Sequence, residues 1–144
     1  MARILSMFLA FFVASAVIAA PLEQRQLGNL KCNIDRLKIV TGLIATASAV
    51  GKIDTSDPDT ATAVEAAQAG LKTAGDSIKD IAIALITGKA APPESRTGVS
   101  QGLNDTRSAL ESITNSAVAP AVSAAQTSLQ DAIDDGNAVI ADCK

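Results

Sequence analysis

Chemistry needs particular side chains at particular spacings, and this 144-residue chain holds few of them. It contains no histidine, so neither a Ser-His-Asp nor a Cys-His arrangement can be assembled to activate a nucleophile. Its two cysteines, Cys32 and Cys143, stand far apart in the chain; two thiols with no imidazole are too few for a structural metal site. Carboxylates gather in two places. Asp54, Asp57 and Asp59 fall in one loop, but they lack the glycine and the terminal glutamate of an EF-hand calcium loop. Capping of the following helix accounts for Asp57 and Asp59. Asp134-Asp135 reads as a solvated helix face, since a glycosidase pair would also need a substrate cleft. No glycine-rich phosphate loop follows a strand, because no strands are predicted. The chain is therefore expected not to be an enzyme, and to hold no metal and no cofactor.

The two cysteines gain meaning from the N-terminal segment. Arg3 supplies a positive start, residues 4–18 are almost uninterrupted apolar, and Val17 and Ala19 offer small residues before a cut. This pattern predicts a signal peptide over residues 1–19, then a flexible lead-in over 20–28 and a helical domain over 29–144. The apolar run is short for a membrane span and no second one follows, so the product is expected to be secreted, with no transmembrane segment. In an oxidising compartment the simplest pairing is one disulfide, Cys32–Cys143. It would close a loop of about 110 residues, worth on the order of 4–5 kcal/mol in the chain-entropy picture.

Past that segment there is no Phe, Trp, Tyr, Met or His, and without Arg3 there are 11 basic against 15 acidic residues, a net of −4. With no basic patch and no aromatic to stack on a base, nucleic acid is excluded as a partner. The apolar content is Ala, Val, Ile and Leu. A core of small side chains gains less from burial, which gives the staple a physical purpose.

Four helices must position these residues. The central one is predicted over Asp57 to Thr87, where Val64, Ala67, Leu71, Ala74, Ile78, Ile81 and Leu85 recur at steps of three and four. Asp57 suits the cap, Pro58 the first turn and Gly88 the stop. The first helix is predicted over 29–50 with the stripe Leu30, Ile34, Leu37, Val40, Ile44, Ala47, and Gly51 ending it. A third, from Ser95 or Thr97 to Ala117, carries Val99, Leu103, Thr106, Leu110 and Ile113, with Arg107 and Glu111 paired one turn apart. Pro120 predicts either a kink in one long helix or a break; the break is the favoured reading, followed by a helix from Pro120 to Ala141 with the seam Val122, Ala125, Leu129, Ala132, Gly136, Val139 and Cys143. Short loops then predict an all-α, up-down-up-down four-helix bundle whose disulfide joins first and last helices. Positions summing to about 175 should lie level, which would set Arg36 and Lys38 against Asp134, Asp135 and Asp142.

The positive functional signal is surplus apolar surface. Ile81 to Ile86 is apolar all round the helix, and residues 42–50 and 117–125 are similar, whereas a bundle helix needs only one buried stripe. Such surface marks a ligand cavity or an adhesive face. Ile44, Ile78, Ile81, Ile83, Leu85 and Ile86 are the candidate apolar contacts. Asn104-Asp105-Thr106 is the only glycosylation sequon.

Ile34-Asp35-Arg36-Leu37, the alanine-rich run from Ala63 to Ile81, and Gly102 to Ile113 together resemble the fungal hydrophobic-surface-binding proteins and cell-wall galactomannoproteins, over residues 29–140. The resemblance implies a secreted, cell-wall-associated helical bundle that adsorbs to hydrophobic surfaces or holds a fatty-acid-like chain. The alternative reading is a small secreted effector or elicitor that recognises a host or cell-wall protein.

Overall fold

The computed structural model describes residues 30–143, and the expected signal peptide and most of the lead-in lie outside them. The described residues form four α-helices and no strand: α1 (Leu30–Val50), α2 (Pro58–Ile86), α3 (Pro93–Glu111) and α4 (Ala119–Asp142), with a 3-10 turn (Ser116–Val118) before α4. A disulfide joins Cys32 to Cys143, with Cα atoms 5.1 Å apart.

Local chemistry sets most of the boundaries. The Asp57 carboxylate accepts from the Thr60 backbone N–H at 2.8 Å and from its hydroxyl at 2.7 Å, and Pro58 supplies the fixed φ of the first turn. At the other end Gly88 takes φ +73°. The Lys89 amide then donates to Ala84 O at 2.8 Å and the Gly88 amide to Leu85 O at 3.1 Å, a Schellman stop that only glycine adopts without strain. Helix α3 begins and ends earlier than the apolar spacing predicts. Pro93 is an acceptable first residue. After Glu111 the Ser112 hydroxyl donates back to Ala109 O at 2.7 Å, and Asn115 Oδ1 accepts from the Ala117 amide at 3.0 Å. These short polar side chains offer the backbone an alternative to continued helix. Pro120 falls in the first turn of α4, so it breaks the chain rather than kinking one long helix.

The helices associate as two intimate pairs. α1 packs along α4 and α2 along α3, whereas α1–α2 and α3–α4 contacts are sparser. Within each pair small residues let the backbones approach. A Cβ added to Gly42 would lie 3.0 Å from Ala132 Cα, and one added to Gly136 would lie 3.2 Å from Ile39 Cδ1. Together with Cys32–Cys143 these contacts pair positions whose numbers sum to 174 or 175, so α1 and α4 run antiparallel. In the other pair a Cβ on Gly102 would lie 2.5 Å from Gly70 O, and Thr106 Oγ1 donates to Gly102 O at 2.8 Å and lies 3.3 Å from Ala67 O. The large aliphatics meet in the core: Val50 and Ile53, Val64 and Leu71, Leu103 and Leu110, Val118, Val122 and Leu129.

Three expectations need correction. The stripe Leu30, Ile34, Leu37, Ile44 and Ala47 is exposed, and α1 buries Cys32, Asp35, Ile39, Thr46 and Val50 instead. Close approach to Ala132 and Gly136 selects the face with Gly42 at its centre over the face with the bulkier side chains. Arg36 and Lys38 do not reach across to Asp134 and Asp135: Arg36 donates to Asn33 at 3.3 Å, Lys38 to Asp35 at 3.3 Å, and the cross-helix ion pair is Lys31–Asp142. Arg107 donates across to Gln130 Oε1 on α4 at 3.0 Å, rather than along its own helix to Glu111.

Candidate functional site

Burial of the small face of α1 leaves its large side chains outside. At 100° per residue, Leu30, Ile34, Leu37 and Ile44 lie within one stripe, about 180° from Cys32, Ile39, Thr46 and Val50. All four are exposed, Leu30 by 74%. The stripe has an a/d-like spacing of four, three and seven residues, the pattern of a seam that another surface covers, yet no other helix covers it among the described residues.

Exposed aliphatics also occur at the end of α2. Ile78, Ile81 and Leu85 continue the seam of Val64, Leu71 and Ala74 but are only half-buried, because the core closes around the other half of the bundle. Ile83 and Ile86 are exposed while Ala84 between them is buried. Ile140, near the end of α4, is 77% exposed. The candidate contacts therefore divide. Ile44, Ile83 and Ile86 are open to solvent, and Ile78, Ile81 and Leu85 line the incompletely covered interior. Leu30, Ile34 and Leu37 were missed because apolar spacing assigns them to the buried stripe of α1, and Ile140 because it stands beside the expected α4 seam at Val139. The available signal was the run Gly42, Thr46 and Ala49 on the opposite face, where small residues permit close packing.

Charge around the α1 stripe is one-sided. Asp35 is the only acidic residue of α1, and it is buried. Its Oδ1 accepts from Lys38 at 3.3 Å; its Oδ2 has no hydrogen-bond partner and lies 3.9 Å from the Lys31 ammonium. A desolvated carboxylate needs such compensation, and it holds both lysines along one edge of the stripe. The hydrogen bond and charge of Asp142, with Asp35 adding to them, raise the Lys31 pKa above its ordinary value.

The carboxylate loop is occupied structurally. The Ser56 hydroxyl and amide donate to Asp54 at 2.6 and 2.9 Å and lower its pKa, and the Thr60 amide and hydroxyl lower that of Asp57. A recess of about 350 Å³ lies between this loop and Ser112–Asn115, lined by Asp57, Asp59, Thr60 and Ile113 among others, and it is predominantly polar. No group of three or more Asp, Glu or Cys among the described residues could hold a metal ion, and none of the described helices is long and apolar enough to cross a membrane. Asn104 is exposed on α3, whereas Thr106 of the same sequon is fully buried with its hydroxyl bonded to backbone. No protein-family model, no curated protein and no solved structure matches this chain.

Proposed function

We propose that this is a secreted, non-catalytic protein that binds apolar surfaces or lipid chains through the outside of its helices, as an up-down-up-down four-helix bundle. The connectivity is supported by the level pairing of Cys32 with Cys143, Gly42 with Ala132 and Gly70 with Gly102, and by neighbours that follow chain order round the bundle. Secretion is supported by the disulfide and by the leader pattern in residues 1–19. The absence of histidine and the structural occupation of Asp54 and Asp57 support a role without catalysis.

The single observation that carries the reading is the outer stripe of solvent-exposed Leu and Ile on α1: Leu30, Ile34, Leu37 and Ile44. Helix α1 packs on α4 through Gly42 and leaves four of its Leu and Ile side chains exposed, a surface suited to adsorption. A carrier would need an enclosed apolar cavity, of order 300 Å³ or more for a lipid-sized guest, but the recess beside Asp57 is polar. The exposed α1 stripe favours surface binding over internal carriage. The resemblance to hydrophobic-surface-binding and cell-wall galactomannoproteins implies an apolar ligand, adsorbed or held as a chain, without choosing between the two.

The test is adsorption of the oxidised protein to polystyrene beads against an albumin control, together with titration by a fluorescent fatty acid. Strong adsorption without stoichiometric fatty-acid binding is expected. Adsorption no greater than albumin's would refute the reading, and saturable one-to-one binding would replace the external surface by an internal site.

A further inference from the structure

Resting on the surface-binding reading above, the structure assigns a specific contact face and a class of surface: we infer that the outer stripe of α1 lies on anionic lipid. The stripe Leu30–Ile34–Leu37–Ile44 spans 15 residues, about 21 Å at 1.5 Å per residue. Lys31 and Lys38 border it on one side and Arg36 on the other. The one acidic residue of the helix, Asp35, lies off the stripe and is buried, its carboxylate 3.3 Å from Lys38 and 3.9 Å from Lys31. An apolar stripe edged by cations on a straight helix is the arrangement that lies in a lipid interface, with the aliphatics among acyl chains and the ammonium groups at the headgroups.

The protein as a whole is acidic, but the relevant charge is local. A lipid surface is sensed over about one Debye length, about 8 Å at physiological ionic strength. The carboxylates at Asp54, Asp57 and Asp59 lie beyond the opposite end of α1 from Lys31. Asp142 sits beside Lys31, and Asp35 lies 3.3 Å from Lys38 and 3.9 Å from Lys31; three cations against two carboxylates leave a local net of +1, with Arg36, which donates to the neutral Asn33, as the main attraction. The same cations weigh against a second copy of the chain as the occupant, since two α1 stripes face to face would bring Lys31, Arg36 and Lys38 of one copy near those of the other.

The experiment is sedimentation of the full, oxidised protein with vesicles of phosphatidylcholine alone and with 30% (about one lipid in three) phosphatidylglycerol. About a fivefold preference for the anionic vesicles is expected at low salt, falling toward unity at high salt. Ile34→Ser with Leu37→Ser, at exposed positions that leave the circular dichroism spectrum unchanged, should weaken binding about 30-fold. Ile83→Ser with Ile86→Ser should change it less than threefold (about 0.6 kcal/mol). Equal binding to both vesicles would overturn the anionic assignment. Loss carried by Ile83 and Ile86 instead would overturn the choice of face. Adsorption to polystyrene without vesicle binding would overturn the lipid assignment while leaving surface binding intact; failure on both would remove the two together.

Discussion

Gly102→Ala separates two physical effects that oppose each other at one position. In a helix interior, alanine is favoured over glycine by about 1 kcal/mol, so propensity alone predicts a more stable protein. The packing of α2 on α3 predicts the reverse. A Cβ at Gly102 would lie 2.5 Å from Gly70 O and 2.6 Å from Ala74 N, against the 3.4 Å at which ordinary contact begins. Both are backbone atoms, so the 0.9 Å deficit must be met by moving a helix rather than a side chain. That movement would also stretch the 3.3 Å contact between Thr106 Oγ1 and Ala67 O. Overpacking of this kind costs about 1–3 kcal/mol, and a backbone clash belongs at the upper end. The net change is then a loss of about 2 kcal/mol, or roughly 8 °C in Tm for a domain of this size. With no Trp or Tyr in the chain, urea unfolding followed by far-ultraviolet circular dichroism is the suitable assay. The exposed control Ala69→Gly should lose only about 1 kcal/mol. Gly70→Ala meets the same gap from the other side, so the double variant should lose less than the sum of the singles. Gly102→Ala as stable as the parent, or more so, would refute the close approach of α2 and α3.

Cys32→Ser opens a loop of sequence separation 111 and should destabilise by about 4–5 kcal/mol, with helix content at 10 °C (roughly the temperature of greatest stability) largely kept; an unchanged Tm would place the bridge outside the stabilising set. Asp57 has a folded pKa below its ordinary 3.8 because Thr60 donates to it. Its stabilisation is therefore full above the unfolded value and is lost as pH falls through about 4 toward the lower folded value. Asp57→Asn should flatten the acid limb of a Tm-against-pH curve, and a limb identical to the parent's would contradict the cap. Thr106→Val leaves Ala67 O and Gly102 O without the hydroxyl and should cost about 1–2 kcal/mol, whereas Asn104→Gln, at an exposed site, should stay within about 0.5 kcal/mol. Intact mass of the protein from a secreting eukaryotic host tests whether Asn104 carries a glycan.

Legibility in the sequence followed the range of the forces involved. Helix α2 could be read almost to the residue because Asp57, Pro58 and Gly88 act within one turn of its ends. The α4 seam was also legible: Val122, Ala125, Leu129 and Ala132 are buried as their spacing predicts. The buried face of α1 was not. Ranking by size places Leu30, Ile34 and Leu37 inside, but the decision is made by the partner, whose Ala132 and Gly136 accept only a close neighbour. One helix read alone does not reveal which of its two faces will meet glycine and alanine. The ion pairs failed for a related reason. Level pairing was foreseen, but which side chains at one level face each other depends on rotation about the helix axis, and α1 is turned by about half a revolution from the expected setting.

That rotation connects the fold to the function proposed. Had α1 buried Leu30, Ile34, Leu37 and Ile44, its outer face would have been Thr46, Gly42 and Asp35, an ordinary solvated exterior. Because each pair is instead held by small residues, with the disulfide adding to one of them, the pairs do not need these aliphatics for cohesion, and the side chains remain available to a surface. The energetic consequence is testable without any ligand. Ile34→Ser and Leu37→Ser remove apolar groups that are already 44% and 48% exposed, so each should change folding stability by less than about 1 kcal/mol. Ile39→Ala, buried against Gly136, should cost about 2–4 kcal/mol. A stability loss at Ile34 or Leu37 comparable with that at Ile39 would mean that the stripe is part of the core, and would remove the physical basis for an adhesive face.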